Sequence, residues 1–202
     1  MVVLGLTGSI GMGKSATCDM FRARGVAVHD SDATVHELYA GEATPLIEQA
    51  FPGVARNGKV DRALLAARVL GHPEELKRLE AVVHPLVRAR EAKFLAENQQ
   101  SNSRFVVLDI PLLFESRNPA TFDAILVVTA PIEIQKVRVL SRPGMTAEKF
   151  AAITAKQMPD QEKRQRAHYL INTADGFSFA KSQVDAILRS LASRQKERIL
   201  NA

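Results

Sequence analysis

The chain has 202 residues, 46% of them hydrophobic and 24% charged, so it can bury roughly 70% of its unfolded surface in one globular unit. Its longest apolar runs have five residues, which excludes a membrane-spanning helix of about 20 residues. A single cysteine, Cys18, excludes an internal disulfide and a cysteine-rich metal site. The first charged residue is Lys14, so the amino terminus lacks the basic part of a secretory signal, and we expect a cytoplasmic protein.

One segment accounts for the net charge of +5. Between Lys136 and Arg166 there are eight basic and three acidic residues, an excess equal to that of the whole chain. A basic flap that closes over a polyphosphate has this character, and a solvated basic helix face is the alternative. Phe150 is the only aromatic residue of the segment, so we expect no nucleic acid as a partner.

The first predicted element is a buried strand over Val2 to Leu6, followed by a glycine-rich turn and a helix from Ser15. This is the setting in which the pattern GxxxxGK[ST] binds phosphate, because backbone N–H groups converge at the positive end of a helix and the lysine adds a full charge. A tight strand-to-helix turn is the alternative. The predicted ATP-binding residues of the loop are Gly8, Gly11, Met12, Gly13, Lys14, Ser15 and Ala16.

Five apolar runs alternate with helical stretches along the chain. This order predicts an α/β fold with a five-stranded parallel sheet and helices on both faces. The predicted strands are Val2 to Leu6, Val26 to His29, Phe105 to Leu108, Ile125 to Thr129 and Tyr169 to Ile171.

The helical stretches between these strands predict two additions to the sheet and a closing helix. The second and third strands are too far apart for one crossover helix, so a helical insertion is expected there, with helices over Ala33 to Tyr39, Thr44 to Phe51, Arg62 to Leu70 and Pro73 to Asn98. Another helical pair is predicted over about Glu133 to Leu140 and Thr146 to Lys156, separated by a turn at Ser141-Arg142-Pro143-Gly144. A final amphipathic helix is expected over Phe179 to Ile199.

Two carboxylates, Asp30 and Asp32, follow the second predicted strand. The carboxyl ends of parallel strands form the ligand crevice, so one of them could accept the proton of an attacking hydroxyl in phosphoryl transfer. Capping of the next helix by either residue is the alternative. Spacing alone does not choose between them. We favour Asp32 as the base because it begins the helical stretch and lies nearer the insertion.

The third predicted strand ends at Asp109, a usual place for a carboxylate that holds Mg²⁺, and the Ser15 hydroxyl could be a second ligand. The segment after Asp109 is unusually apolar for a loop over an active site. We predict that Leu113, Phe114 and Glu115 contact an organic acceptor; ordinary core packing is the alternative.

The five histidines show no metal-ligand spacing. His84 precedes Pro85, and Arg88 lies one helical turn later on a similar face, so these two side chains could bind an anion of the acceptor. A capping or solvated histidine before a helix that starts with proline is the alternative.

Several stretches together resemble the dephospho-coenzyme A kinase family: "LGLTGSIGMGKS", "VHDSDATVHEL", "GKVDRALL", "HPLVRAR", "VVLDIPLLFE", "RVLSRPGMT" and "QMPDQEKRQRAHYLINT". The resemblance covers nearly the whole chain. It implies a P-loop NTPase fold with a core of residues 1–32, 99–135 and 167–202, a helical acceptor-binding insertion of residues 33–98 and a helical lid of residues 136–166.

The activity implied by the resemblance is ATP-dependent phosphorylation of the ribose 3'-hydroxyl of dephospho-CoA, with Mg²⁺ as cofactor. Lys14, Asp32 and Arg142 then carry catalysis, and Arg138 and Arg142 join the loop in binding ATP. Ala16 stands where the family commonly has threonine, and Ile153 where many members have a lid arginine.

Two rival functions share the loop or the basic segment. A nucleoside or nucleotide kinase would have both the phosphate loop and the lid. Assays with ATP and a panel of acceptors distinguish this function from that of a dephospho-coenzyme A kinase. A GTPase switch is disfavoured because neither NKxD nor DxxG occurs in the chain. We expect a monomer or a small homo-oligomer with no membrane partner.

Overall fold

The computed structural model describes the backbone of residues 1–200 and the side chains of residues 1–193. Residues 201 and 202, which close the predicted core segment 167–202, lie outside the described part. The chain divides into two compact units, one made of residues 1–28 and 103–202 and the other of residues 29–102. The strands are β1 (Val2–Thr7), β2 (Ala27–Asp30), β3 (Ala55–Arg56), β4 (Lys59–Val60), β5 (Phe105–Asp109), β6 (Ala124–Thr129) and β7 (Tyr169–Asn172).

Helices make up most of the remaining chain, and a short 3-10 helix spans Pro119–Thr121. The α-helices are α1 (Lys14–Arg22), α2 (Ser31–Tyr39), α3 (Thr44–Ala50), α4 (Arg62–Val69), α5 (Pro73–Gln100), α6 (Leu113–Ser116), α7 (Ile132–Leu140), α8 (Ala147–Thr154), α9 (Asp160–Gln165) and α10 (Gly176–Leu200).

The predicted five-stranded parallel sheet is confirmed, with the order β2-β5-β1-β6-β7. In its centre, Leu4 of β1 lies opposite Val107 of β5 and Ala124 of β6. All six residues of β6 are buried, as expected of a parallel strand covered on both faces. Each predicted strand end lies within one residue of the observed one.

Helices pack around the sheet through regularly spaced apolar residues. Helix α1 buries Cys18 and Phe21, three positions apart, and α10 buries Ala180, Val184 and Ile187 at helical spacing. Together with Leu4, Leu6 and neighbouring strand residues, they form one hydrophobic cluster. The loops at the carboxyl ends of β1, β5 and β6 are thereby fixed to a rigid base.

The unit of residues 29–102 has its own core, built from Leu38, Ile47, Leu65 and Val83 of its helices and their neighbours. Its four helices match the predicted ones. The unit also contains a small hairpin of β3 and β4, in which Ala55 pairs with Val60 and which was not predicted. Asn57 and Gly58 both have positive φ there, the backbone that an Asn-Gly turn requires between two strands.

The expected helical pair is present as α7 and α8, with Gly144 in the turn between them, and the basic segment begins inside α7. The short helix α9, which was not predicted, follows the pair. No helix in the described part of the chain carries an apolar stretch long enough to cross a bilayer.

Candidate active site

The glycine-rich loop lies between β1 and α1. Gly13 is the residue before the first turn of α1 and has φ +92°, while Gly11 has φ +78°, so both adopt backbone that favours glycine. A Cβ on Gly11 would overlap the Val139 side chain of α7, and one on Gly13 would lie 3.1 Å from Thr173 Oγ1. Both glycines therefore serve close packing as well as backbone conformation.

The lysine of the loop is paired with a buried carboxylate. Lys14 Nζ donates to Asp109 Oδ1 at 2.6 Å, and the Cys18 thiol donates to Asp109 Oδ2 at 3.3 Å. Asp109 is only 2% exposed, so both contacts form largely away from water. Burial, and then the charge of Asp109, raises the pKa of the Cys18 thiol, which stays protonated and able to donate.

The donor set near the start of α1 fits Mg²⁺ bound mainly through a nucleotide. Asp109 offers carboxylate oxygens at the end of β5, and Ser15 offers an exposed hydroxyl in the first turn of α1. Mg²⁺ prefers oxygen ligands and keeps several waters, so one or two protein oxygens are enough when phosphates supply the others. The described residues contain no group of three acidic, histidine or cysteine side chains that would hold a metal without such help.

Arg138 reaches the phosphate loop through a threonine. Its guanidinium donates to Thr173 Oγ1 at 2.8 Å and to the Thr173 carbonyl oxygen at 2.7 Å. The Thr173 hydroxyl in turn donates to the Met12 carbonyl oxygen at 2.8 Å. Arg138, predicted to bind ATP, is thus in indirect contact with the loop. Thr173 was not singled out from the sequence, because nothing local to "LINTAD" marks it.

Arg142 lies just beyond the end of α7 and is exposed. Across the side chains that the structure describes, its guanidinium makes no hydrogen bond or ion pair. It can therefore meet an anionic ligand without breaking a contact inside the protein.

The two candidate base residues have different surroundings. The Asp30 side chain accepts from Ala33 N at 2.9 Å and caps α2, the role that was the alternative for either residue. Asp32 is exposed in the first turn of α2, and within residues 1–193 its carboxylate makes no hydrogen bond or ion pair. Asp32 is the carboxylate left available for a substrate.

His84 and Arg88 are both exposed on α5, one helical turn apart. Pro85 lies inside this helix, which begins at Pro73, so His84 does not cap a helix that starts with proline. Neither side chain has a polar partner among the described residues, and the pair is accessible to an anion.

The apolar segment after Asp109 divides into core and accessible parts. Leu113 is fully buried, and a Cβ on Gly5 of β1 would lie 2.7 Å from its Cδ1, so Leu113 packs as the core alternative expected. Phe114 is half-buried and keeps some accessible surface. Glu115 Oε1 accepts from Met158 N at 2.7 Å and lies 3.1 Å from Nζ of Lys163, whose side chain is completely buried.

Comparisons with known proteins agree over nearly the whole chain. The CoaE family model, described as dephospho-CoA kinase, matches residues 2–178. A protein named dephospho-CoA kinase from Mesorhizobium japonicum is 56% identical over 96% of this chain and 99% of its own length. The chain belongs to the dephospho-CoA kinase family.

Solved structures support the same fold. The crystal structure of TT1252 from Thermus thermophilus has a TM-score of 0.80 and 35% identity, covering 94% of this chain and 97% of that one. A dephospho-CoA kinase from Campylobacter jejuni has a TM-score of 0.64 and 23% identity, covering 94% and 96%. At that identity the second likeness shows a shared fold only.

The site residues predicted for this member of the dephospho-CoA kinase family are divided between the two units of the chain. The loop residues Gly8 to Ala16, Asp109 and Arg138 come together in the unit of residues 1–28 and 103–202, whereas Asp32, His84 and Arg88 belong to the other. Ile153, which departs from the family pattern, lies half-buried on α8. The polar contacts made by Cys18, Thr173 and Lys163 had no sequence signal, because their partners lie far away along the chain.

Proposed function

We propose that the protein transfers the γ-phosphoryl group of ATP to the ribose 3'-hydroxyl of dephospho-CoA, which gives coenzyme A and ADP. Family membership over residues 2–178 supports this reaction. The structural observation that carries the proposal is the Lys14–Asp109 pair beside the first turn of α1, because a phosphate loop, a lysine and a strand-end carboxylate are the parts that P-loop phosphoryl transfer uses.

The phosphate loop binds and orients ATP in this proposal. Backbone N–H groups from Gly11 to Ala16 face the phosphates at the amino end of α1. Lys14 exchanges Asp109 for phosphate oxygens, and Arg142 adds a second positive charge. Arg138 supports the loop through Thr173.

Mg²⁺ bound by Ser15 and Asp109, directly or through water, would neutralise charge on the phosphates. The fit rests on the two oxygen donors described above. The two carboxylate oxygens of Asp109 have different partners: Oδ1 accepts a hydrogen bond from Lys14, and Oδ2 accepts one from the Cys18 thiol.

Asp32 acts as the base that orients the attacking hydroxyl and accepts its proton. Its exposed position in the first turn of α2 and its lack of internal partners among the described residues support the assignment. We propose residues 33–98 as the acceptor-binding insertion, where His84 and Arg88 bind anionic groups of the acceptor. Phe114 contributes an apolar contact, and Glu115 accepts a hydrogen bond from the Met158 backbone, which joins α6 to the residues after α8.

Residues 136–166 are proposed as the lid that closes over the nucleotide, since they carry the basic excess and contain the end of α7, all of α8 and α9. ATP and dephospho-CoA are the proposed partners. A cytoplasmic location, a monomer or small homo-oligomer and the absence of nucleic-acid binding stay predictions.

The test is to incubate the protein with ATP, Mg²⁺ and one acceptor at a time, and to look by mass spectrometry for a product heavier by one phosphoryl group. Dephospho-CoA should be converted, while adenosine and AMP should not. Conversion of adenosine or AMP with no conversion of dephospho-CoA would identify a nucleoside or nucleotide kinase instead.

A further inference from the structure

Two glutamines hold the backbone of Ile10, a residue inside the phosphate loop. Ile10 N donates to Gln157 Oε1 at 3.2 Å, and Gln135 Nε2 donates to the Ile10 carbonyl oxygen at 2.7 Å. Gln135 comes from α7, and Gln157 comes from the segment after α8. The contacts join residues 125 and 147 positions apart, so local chain geometry does not impose them.

The side-chain amides of the two glutamines contact Ile10 through different atoms, the oxygen of Gln157 and the nitrogen of Gln135. A backbone N–H needs an acceptor, which only the amide oxygen of Gln157 supplies, and a carbonyl needs a donor, which only the amide nitrogen of Gln135 supplies. Gln135 is 3% exposed, so water does not compete effectively for its contact. Gly11, the next residue of the loop, packs against the Gln135 backbone and Val139. The middle of the loop is therefore bound to α7 by both polar and apolar contacts.

The residues that follow Gln157 are attached to the rest of the protein by several polar contacts. Directly after it, Met158 N donates to Glu115, and the Thr129 hydroxyl donates to Asp160 Oδ2 at 2.8 Å. The completely buried Lys163 adds its ion pair with Glu115. We call residues 157–163 the anchor segment, because its contacts attach it to the ends of α6 and β6.

A cavity of about 680 Å³ separates α8 from the loop. Ser9, Met12, Gln135 and Gln157 line it on the loop side, while Phe150 and Thr154 line it from α8. The cavity leaves space for α8 to move toward the phosphate loop, whereas Gln135 and Gln157 are already hydrogen-bonded to the loop.

We propose that Gln135 and Gln157 are positioning residues for phosphoryl transfer: they clamp Ile10, so that the N–H groups from Gly11 onward keep their aim at the phosphates while α8 closes. The proposal rests on the proposed kinase function. It divides the basic segment into a moving part, α8 with the turn before it, and two stationary parts, the end of α7 and the anchor segment.

The first test replaces Gln157 by methionine, which has similar size but cannot accept the Ile10 N–H bond. Gln165→Met, on an exposed part of α9, is the matched control. In Gln157→Met we expect the Kd for ATP, measured by calorimetry without acceptor, to rise about fivefold, the scale of one hydrogen bond. The KM for dephospho-CoA should stay within about twofold of wild type, and the control should match wild type in both. Wild-type ATP affinity in folded Gln157→Met would overturn the proposal.

A direct readout is the exchange rate of the Ile10 amide hydrogen in the protein without nucleotide. Exchange should be faster in Gln157→Met than in wild type, because the amide has lost its acceptor. Equal exchange rates would show that the bond does not restrain the loop. This readout and the ATP affinity do not involve the acceptor, so they remain decisive even if dephospho-CoA proves to be the wrong substrate.

The double variant tests whether the two contacts act as one clamp. Once one side of Ile10 is released, the other contact should restrain it little, so Gln135→Met/Gln157→Met should bind ATP about as weakly as the weaker single variant. A loss equal to the product of the two single losses would show two independent contacts and overturn the clamp. If Gln135→Met has a lowered melting temperature because the site is buried, the comparison of Gln157→Met with its control decides alone.

Discussion

Lys14 Nζ and Asp109 Oδ1 lie 2.6 Å apart, at the junction of α1 with the end of β5. The lysine is 18% exposed and the carboxylate 2%, so the pair opens to the surface on the lysine side only. Because the carboxylate is fixed by burial and by the Cys18 thiol, the flexible lysine is the partner that can turn toward a phosphate.

Replacing Lys14 by alanine removes the charge that stabilises the transferring phosphoryl group. We expect kcat to fall about 10²-fold or more, the usual scale for such groups. Steady-state kinetics with ATP and dephospho-CoA measure the effect, and circular dichroism checks the fold. Near-normal turnover by folded Lys14→Ala would remove the loop lysine from the mechanism.

Asp32→Asn keeps the shape of the side chain but removes its charge, so a base that orients the hydroxyl is lost. We expect kcat to fall about 10²- to 10⁴-fold with little change in ATP affinity. Asp30→Asn is the matched control, since asparagine also caps helices well and should leave kcat within a few-fold of wild type. The opposite pattern, with Asp30→Asn inactive and Asp32→Asn active, would exchange the two roles.

Amide hydrogen exchange tests the lid. A non-hydrolysable ATP analogue should slow exchange in residues 136–156, because its phosphates draw in Arg142 and neighbouring basic residues. The anchor segment should change least, as its side chains are already bound to Glu115 and Thr129. Unchanged exchange across residues 136–166 at saturating analogue would contradict the lid assignment.

Glu48 gives the unit of residues 29–102 a defined pH response. Hydrogen bonds from Gly53 N and Ala55 N, each 2.7 Å, hold the pKa of this half-buried residue's carboxyl below its ordinary value. A lowered folded-state pKa contributes stability above the unfolded pKa of about 4.3 and loses it as pH falls through the folded value. Urea unfolding should show Glu48→Gln less stable than wild type at pH 7, with a smaller difference below pH 4. An equal difference at both pH values would rule out the carboxylate charge as the cause.

The buried Lys163 makes a stability test of its own. Lys163→Met leaves the Glu115 carboxylate without its cation, and we expect the free energy of unfolding to drop by up to about 3 kcal/mol. Adding Glu115→Gln removes the unpaired charge but keeps an acceptor for Met158 N, so the double variant should regain most of the loss. The free energies of unfolding are measured by thermal or urea unfolding. A double variant as unstable as Lys163→Met would show that the unpaired Glu115 charge is not the cause of the loss.

The sequence predicted the sheet well because each strand is an apolar run bounded by turn residues. Val2 to Leu6 was expected and Val2–Thr7 was found, for example. The elements that escaped prediction are short: β3 and β4 have two residues each, the 3-10 helix three, α6 four and α9 six, too few to show a period.

The candidate site was predictable only where a local motif marks it. "GMGKS" identifies its own chemistry. Asp32 was favoured over Asp30 from the start of the helical stretch and the family resemblance, and the structure adds that α2 starts at Ser31, which makes Asp30 the cap. Lys163 looked like one more surface cation of the basic segment, although it is completely buried. Its partner is 48 positions away, and no spacing rule reports such a contact.

The division of the chain has a consequence for synthesis on the ribosome. Strand β1 lies between β5 and β6, so its backbone finds neither neighbour until residues beyond 103 have emerged. Residues 29–102 form a continuous unit with their own hydrophobic cluster, and they can pack first while the first strand waits. During that interval β1 exposes unpaired N–H and C=O groups on both edges, the kind of surface that a chaperone shields from pairing with other chains.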